Sequence, residues 1–222
     1  TPDPVHLQGK NPADKIKPHM FPLVRKPLTG HAKKDIYLIA NQDELKNDLN
    51  KANNTEILYE RFIEGDEIIA AGIIHQERYH LVDITDKITT PLPHFVDLKH
   101  ISPSRHADLA QRITEIGQKI AGAFHITSSP MIMELIVRDN EIFVVEAVPE
   151  FGGEFLPDIL IPARTGYNYI GEAIKSHSHG SFLIPTRKRD RSAVVVQYIT
   201  GENGILTSCN PDGPKHIPGI LF

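Results

Sequence analysis

The stretch that decides the fold is residues 131–153, which read MIMELIVRDNEIFVVEAVPEFGG. Two apolar, β-rich runs, Met131 to Val137 and Ile142 to Val148, flank the polar Asp139-Asn140-Glu141. Apolar runs of this length on either side of a polar turn predict a β-hairpin. Each run carries one glutamate, so the next question is whether the two carboxylates share a face of the sheet.

The length of the loop decides where these glutamates point. With a three-residue loop, Glu134 lies opposite Glu146 on one face, with Cβ atoms about 5 Å apart. Opposed like charges are destabilising beside apolar side chains, so we expect a cation between them, and Mg²⁺ favours carboxylate oxygens. A glycosidase-like acid/base pair would need a larger separation. With a two-residue Asp139-Asn140 loop, the glutamates would lie on opposite faces, and the sequence leaves both loops open.

Composition is that of an ordinary globular protein, with 222 residues of which 40% are hydrophobic and 23% charged. A formal net charge of -4 disfavours a nucleic-acid partner, which would require clustered Lys and Arg. No apolar run approaches the roughly 18 residues of a membrane helix, so no membrane partner is expected. The single cysteine, Cys209, fits a reducing compartment and favours a cytoplasmic location.

Hydrophobic periodicity predicts mixed helices and strands along the rest of the chain. Asn41 is expected to cap a helix that carries Leu45 and Leu49, and Ser104 a longer helix with apolar positions from Leu109 to Phe124. Hairpins interspersed with helices favour an α+β fold over a doubly wound parallel sheet. The predicted strands outside the hairpin are 21–27, 35–40, 57–63, 66–75, 79–85, 193–199 and 204–208.

Several segments in register resemble the ATP-grasp superfamily, especially its carbamoyl-phosphate-synthase-like, biotin-carboxylase-like and L-amino-acid-ligase branch of carboxylate–amine ligases. Twelve residues after Glu134 comes Glu146-Ala147-Val148-Pro149-Glu150-Phe151-Gly152-Gly153, where the family has Glu-x-Asn-Pro-Arg-x-Gly-Gly. Residues 21–27 resemble its strand that ends in a nucleotide-binding lysine, and residues 58–67 resemble its adenine hinge. Order and spacing agree from about residue 1 to residue 176.

The resemblance implies an ATP-grasp fold, in which a small α+β lid lies over a larger α+β body with an antiparallel sheet. The implied division is a connector at 1–20, a lid subdomain at 21–73, a body subdomain at 74–180, and the start of a truncated C-terminal β-rich region at 181–222. It also implies a fragment without its N-terminal domain, which a missing domain or partner chain would supply. A homodimer is a further expected assembly.

The resemblance also implies ATP and Mg²⁺ as cofactors, with Mn²⁺ as the alternative ion, and Glu134 and Glu146 as metal ligands. The implied ATP-binding residues are Lys26 at the phosphates, Gly30 and Lys34 in the loop over them, Glu60, Arg61, Phe62 and Ile63 at the adenine edge, Glu67 at the ribose and Ile136 against the purine. Lys34 and Glu150 are the candidates for catalytic roles. The alternatives are a surface lysine for Lys26, a solvent-facing acid for Glu67 and plain core for Ile136.

Two positions depart from the family pattern. Val148 replaces an asparagine metal ligand, and Glu150 replaces an arginine near the reacting substrate. The implied activity is ATP-dependent ligation of a small-molecule carboxylate to an amine or thiol through an acyl phosphate. The alternatives are a non-catalytic ATP-binding module of a larger ligase, and a biotin-carboxylase-like or carbamoyl-phosphate-synthase-like subunit. A basic substrate that faces Glu150 and Glu154 is one hypothesis that reconciles the missing arginine.

Overall fold

The computed structural model of the protein describes residues 4–5, 16–29, 34–51, 57–91, 95–185, 193–201, 204–205, 207–208 and 218–220. Within them, ten strands form two antiparallel sheets beside four α-helices, which confirms the α+β class. The strands are β1 (Pro4–Val5), β2 (Leu23–Pro27), β3 (Tyr37–Ile39), β4 (Ile57–Arg61), β5 (Asp66–His75), β6 (Arg78–Thr89), β7 (Asp97–Ser102), β8 (Ser128–Arg138), β9 (Glu141–Val148) and β10 (Val194–Gln197). The helices are α1 (Gln42–Lys51), α2 (Ala110–Ala123), α3 (Ile161–Thr165) and α4 (Tyr169–His179). Across the described ranges, no helix is both long and apolar enough to span a membrane.

The smaller sheet has the strand order β1-β4-β2-β3 and packs against α1. Leu45 of the helix is fully buried in a core that also contains Leu23 and Tyr59. As predicted, Asn41 caps α1, because its Oδ1 accepts a hydrogen bond from the N–H of Glu44 at 3.0 Å. The cap and the apolar stripe together fix this helix where the sequence predicts it.

The larger sheet has the order β10-β7-β6-β5-β8-β9 and is covered by helices on both faces. On one face, Ile113 of α2 shares a core with Ile68. On the other, Ile161 of α3 and Tyr169 of α4 share a core with Ile69. Successive residues of β5 therefore enter different cores, as the two-residue period of a strand requires.

Two glycines let α2 lie close to the larger sheet. A Cβ atom at Gly72 of β5 would be 2.3 Å from the ring of Tyr79, and one at Gly117 of α2 would be 2.4 Å from the same ring. The ring of Tyr79 therefore occupies the space that a side chain at either glycine would need.

Two predicted details of the long helix are wrong. Ser104 does not cap α2, which begins only after a short 3₁₀ turn. Its Oγ donates to Asp86 Oδ1 at 2.5 Å and accepts from the N–H of His106 at 3.0 Å. Phe124 follows the last helical residue and is 75% exposed, so it does not belong to the packed face.

The chain passes from the smaller to the larger sheet between Arg61 and Asp66. β5 therefore pairs within the larger sheet, although most of it lies inside the predicted lid at 21–73. β10 joins the same sheet by pairing with β7, whereas the described residues of 204–208 contain no strand. The division into lid, body and C-terminal region stays a prediction, and sheet membership favours a boundary before Asp66.

Candidate functional site

The hairpin loop between β8 and β9 has two residues, Asp139 and Asn140. Their φ angles are 50° and 62°, and positive φ at both central residues is typical of a type I′ hairpin turn. Asn and Asp tolerate this conformation better than most residues. The three-residue loop that would have aligned the two glutamates is therefore wrong.

A β-bulge restores the alignment that the short loop removes. Regular pairing after Leu135–Val144 would place Val145 opposite Glu134 and turn Glu146 to the other face. Instead, the register jumps from Leu135–Val144 to Glu134–Glu146, and Val145 remains as the extra residue. The predicted opposition of the two carboxylates is confirmed, although by a different route.

A cation already lies beside Glu134, and the chain itself supplies it. Nζ of Lys87 on β6 lies 2.8 Å from Glu134 Oε1, 3.6 Å from Asp97 Oδ1 and 3.8 Å from Glu67 Oε2. The lysine side chain is only 1% exposed. Lys87 is not among the predicted residues. The sequence does not signal the burial of this lysine, which only the structure shows, and lysine is rarely buried without a partner.

The cluster of Lys87, Glu134, Asp97 and Glu67 has a net negative charge. Burial disfavours the Lys87 ammonium, but the attraction of the carboxylates, led by Glu134, outweighs it and raises the pKa of Lys87 above its ordinary value of 10.5. Three carboxylates against one ammonium leave two formal negative charges, and Glu146 adds a third. Glu134 is 30% exposed at its side chain and Glu146 is exposed, so their oxygens are accessible. Accessible oxygens with excess negative charge fit a hard divalent cation.

The residues predicted to contact the ribose and the purine are cross-strand neighbours. Glu67 of β5 pairs directly with Ile136 of β8, two residues along from the pairing of Ile69 with Glu134. Because strand residues two apart share a face, Glu67, Ile136 and Glu134 line the same side of the sheet. The larger sheet thus brings Glu67 beside Glu134 and Ile136, which were predicted from a different segment, with Lys87 next to them.

Lys26 and Glu60 lie on neighbouring strands of the smaller sheet and form an ion pair. Their side chains are 20% and 11% exposed. A lysine in this position would have to exchange its carboxylate partner for phosphate oxygens when nucleotide binds. Its phosphate-binding role stays a prediction.

The predicted adenine hinge, residues 58–67, begins within β4 and extends to the start of β5. The N–H of Phe62 donates to the carbonyl of Pro22 at 3.0 Å, so this backbone donor is already used. Arg61 is exposed and Ile63 is buried. An adenine edge would have to use other backbone groups of this segment.

The remaining predicted residues are not drawn into the cluster. Gly30 lies outside the described residues, and Lys34 is exposed. Glu150 is exposed after the end of β9, where its N–H donates to the carbonyl of Val148 at 2.9 Å. Their catalytic and loop roles stay predictions.

Clefts also open beside α2, where Tyr79, His80 and Thr114 are among the lining residues. They hold none of the residues predicted to bind ATP or metal. Tyr79 belongs to the core between α2 and the sheet, on the face opposite the one that carries Ile69. The carboxylates around Lys87 are therefore the better candidate site.

Comparison with known proteins identifies the family of this chain. Residues 19–158 match the family model of the ATP-grasp domain. A D-alanine–D-alanine ligase from Petrotoga mobilis is 28% identical over 144 residues, which cover 59% of this chain and 47% of the ligase. The chain thus spans about half the length of the curated relative that it matches.

Solved structures show the same fold at low sequence identity. An L-amino acid ligase from Bacillus licheniformis has a TM-score of 0.58 at 24% identity, covering 70% of this chain and 38% of its own. A biotin carboxylase from Campylobacter jejuni has a TM-score of 0.63 at 18% identity, covering 82% and 42%. The biotin carboxylase domain dimer of a Hydrogenobacter thermophilus 2-oxoglutarate carboxylase, solved with MgADP and bicarbonate, has a TM-score of 0.63 at 19% identity, covering 80% and 41%. These likenesses and the family match confirm the predicted fold.

Proposed function

This chain belongs to the ATP-grasp family, and from that premise we propose that it is the Mg-ATP-binding part of an ATP-dependent ligase. The observation that carries the proposal is the opposition of Glu134 and Glu146 on one face of the larger sheet, beside the buried Lys87. The substrates are a small-molecule carboxylate and an amine or thiol. The cytoplasm is the proposed location.

Glu134 and Glu146 are the residues that would hold Mg²⁺, or Mn²⁺ as the alternative. The ion, when bound, neutralises charge on the phosphate oxygens. Lys87 holds the Glu134 carboxylate in place through the 2.8 Å contact and reduces the negative charge that an incoming phosphate meets. The side chain of Val148 offers no ligand atom, so the two glutamates supply the side-chain ligands from β8 and β9.

The nucleotide is held by groups on both sheets. Glu67 accepts hydrogen bonds from the ribose hydroxyls, and Ile136 packs against the purine. From the smaller sheet, Lys26 contacts the phosphates once it leaves Glu60, and backbone groups of residues 60–63 meet the adenine edge. What supports this arrangement is the adjacency of Glu67, Ile136 and Glu134.

The reaction in this proposal proceeds in two displacements. An oxygen of the substrate carboxylate bonds to the γ-phosphorus of ATP, and ADP leaves with the electrons of the broken P–O bond. The amine nitrogen then attacks the carbonyl carbon of the acyl phosphate, loses a proton and displaces phosphate. Positioning and electrostatics supply most of the catalysis in such transfers.

A non-catalytic ATP-binding module is the second candidate, and Glu150 is the observation that favours it. A carboxylate at this position repels the anionic intermediate that an arginine would stabilise. Release of ADP with a panel of carboxylates and amines supports the ligase, whereas nucleotide binding without ADP release supports the module. Release that depends on biotin and bicarbonate would instead support a carboxylase subunit.

Thermal unfolding with ATP and Mg²⁺ tests the binding step. We expect stabilisation only when both are present, by about 2.7 kcal/mol at a ligand concentration 100 times its Kd. Glu146→Gln should lose this stabilisation. Glu141→Gln changes an exposed glutamate at the other end of β9 and is the matched control that should retain it. Equal stabilisation of both variants would exclude Glu146 as a metal ligand.

A further inference from the structure

We infer that the chain has a second metal site, formed by Asp97, His100 and Glu154, which binds a divalent transition ion such as Zn²⁺. One ligand atom from each residue lies within 4.8 Å of the other two. An imidazole nitrogen with two carboxylate oxygens suits Zn²⁺, whereas Mg²⁺ prefers oxygen ligands alone. The inference goes beyond the proposed ATP site and does not depend on it.

The imidazole of His100 is the main observation. The residue is completely buried, and within the described residues neither Nδ1 nor Nε2 makes a hydrogen bond. Nε2 lies 3.1 Å from Glu154 Oε2, but this short contact does not have the orientation of a hydrogen bond. Buried side-chain nitrogens are nearly always paired. A metal ion bound to the lone pair of the imidazole would supply the missing partner.

The distances are compatible with a small coordination sphere. Zn²⁺ binds nitrogen and oxygen ligands at about 2.0–2.2 Å, which places two ligands of a tetrahedron about 3.3–3.6 Å apart. The 3.1 Å between His100 Nε2 and Glu154 Oε2 is close to that value. The ligand atoms of all three residues lie within 4.8 Å of one another, a separation that rotation of a side chain can reduce to that of a coordination sphere.

The backbone positions of the three ligand residues are set by β7, its neighbouring strands and the segment after β9. His100 lies within β7, between Lys87 of β6 and Val196 of β10, so both neighbouring strands hold its position. Asp97 begins the same strand. Glu154 lies in the segment after β9 with a φ of 64°, a conformation that glutamate seldom adopts.

Electrostatics also favour a cation at this position. Lys87 lies 3.6 Å from Asp97 and 2.8 Å from Glu134, and the carboxylates of Asp97 and Glu154 both lie beside the imidazole. The ring of Tyr198 meets that of His100 edge-on at 6.4 Å.

Titration of the metal-free chain, without a histidine tag, tests the site. Co²⁺ is the probe because its visible absorption bands report nitrogen and oxygen coordination, and Zn²⁺ is then added to displace it. We expect saturable bands at one equivalent. Loss of a side chain that only orients a metal ligand already weakens metal binding about 10–100-fold, so we expect His100→Gln and Glu154→Gln to weaken it at least about 100-fold. His177→Ala changes a surface histidine and should leave the titration unchanged.

The outcomes separate this site from the proposed ATP site. Absence of the bands in the unmodified chain, or equal affinity in the unmodified chain and Glu154→Gln, would overturn the inference. If circular dichroism shows that His100→Gln is unfolded, Glu154→Gln decides, because its side chain is 35% exposed. Loss of the bands in Glu146→Gln but not in Glu154→Gln would also overturn it. Bands that persist in a chain that Mg-ATP does not stabilise would reject the proposed function alone.

Discussion

Replacing Lys87 with methionine removes the ammonium that lies among Glu134, Asp97 and Glu67 while keeping a side chain of similar length. The carboxylates then face one another in a partly buried space without that charge. We expect Lys87→Met to lower the free energy of unfolding by about 3–5 kcal/mol, the usual cost of breaking a buried ion pair from one side.

The ion-pair distances give the Coulomb energies from which this value follows. With an effective dielectric constant of about 20, the 2.8 Å contact with Glu134 is worth about 6 kcal/mol, and the 3.6 Å and 3.8 Å contacts with Asp97 and Glu67 about 4–5 kcal/mol each. Transfer of the ammonium from water into the fold costs several kcal/mol and offsets much of this attraction. A net loss well below the sum of the contacts is therefore expected.

Urea unfolding at neutral pH measures the loss, and Lys119→Met, on the exposed side of α2, is the matched control. A double-mutant cycle with Glu134→Gln then isolates the coupling between the two side chains. The pKa of Lys87 is raised, so its stabilisation is complete below the unfolded value of 10.5 and is lost as pH rises through the higher folded value. The difference between the unmodified chain and Lys87→Met should thus be constant from pH 7 to pH 9.

Refutation would take one of two forms. A loss below about 1 kcal/mol, as for an exposed ion pair, would mean that Lys87 is solvated in solution. A coupling energy near zero in the cycle would mean that the cost arises from packing and not from the ion pair with Glu134.

Further predictions concern the core of the smaller sheet and the core of the larger sheet that contains Tyr79. Asp48→Ala should lower the free energy of unfolding, measured with urea, by about 3 kcal/mol. Asp48 accepts hydrogen bonds from Tyr59 and Tyr37 at 2.5 and 2.7 Å and pairs with Arg25. A change under about 1 kcal/mol would contradict this role. Gly72→Ala should cost about 1–3 kcal/mol because the new Cβ would overlap the ring of Tyr79. A Cβ atom added at Gly122 of α2 would meet no other atom within 4 Å. Gly122→Ala should therefore stabilise the chain by up to about 1 kcal/mol. Equal effects of the two glycine substitutions would refute the packing explanation.

Local patterns predicted the elements where the physical cause is itself local. The apolar spacing around Leu45 and the cap at Asn41 place α1 correctly, since both act within one turn. The hairpin of residues 131–148 follows in the same way from two apolar runs and a polar turn. Predictions failed where a longer contact decides, as for Ser104, which bonds to Asp86 on another strand.

The sequence by itself determined the α+β class, the hairpin, the family resemblance and the two glutamates as a pair. Tertiary structure alone decided how that pair is aligned, because Asp139-Asn140 suits a two-residue loop and only the bulge at Val145 returns Glu146 to the face of Glu134. It also decided which cation lies beside them and which residues surround His100. Those contacts join strands that are distant in the chain, and no local spacing encodes the distance between Lys87 and Glu134 or between His100 and Glu154.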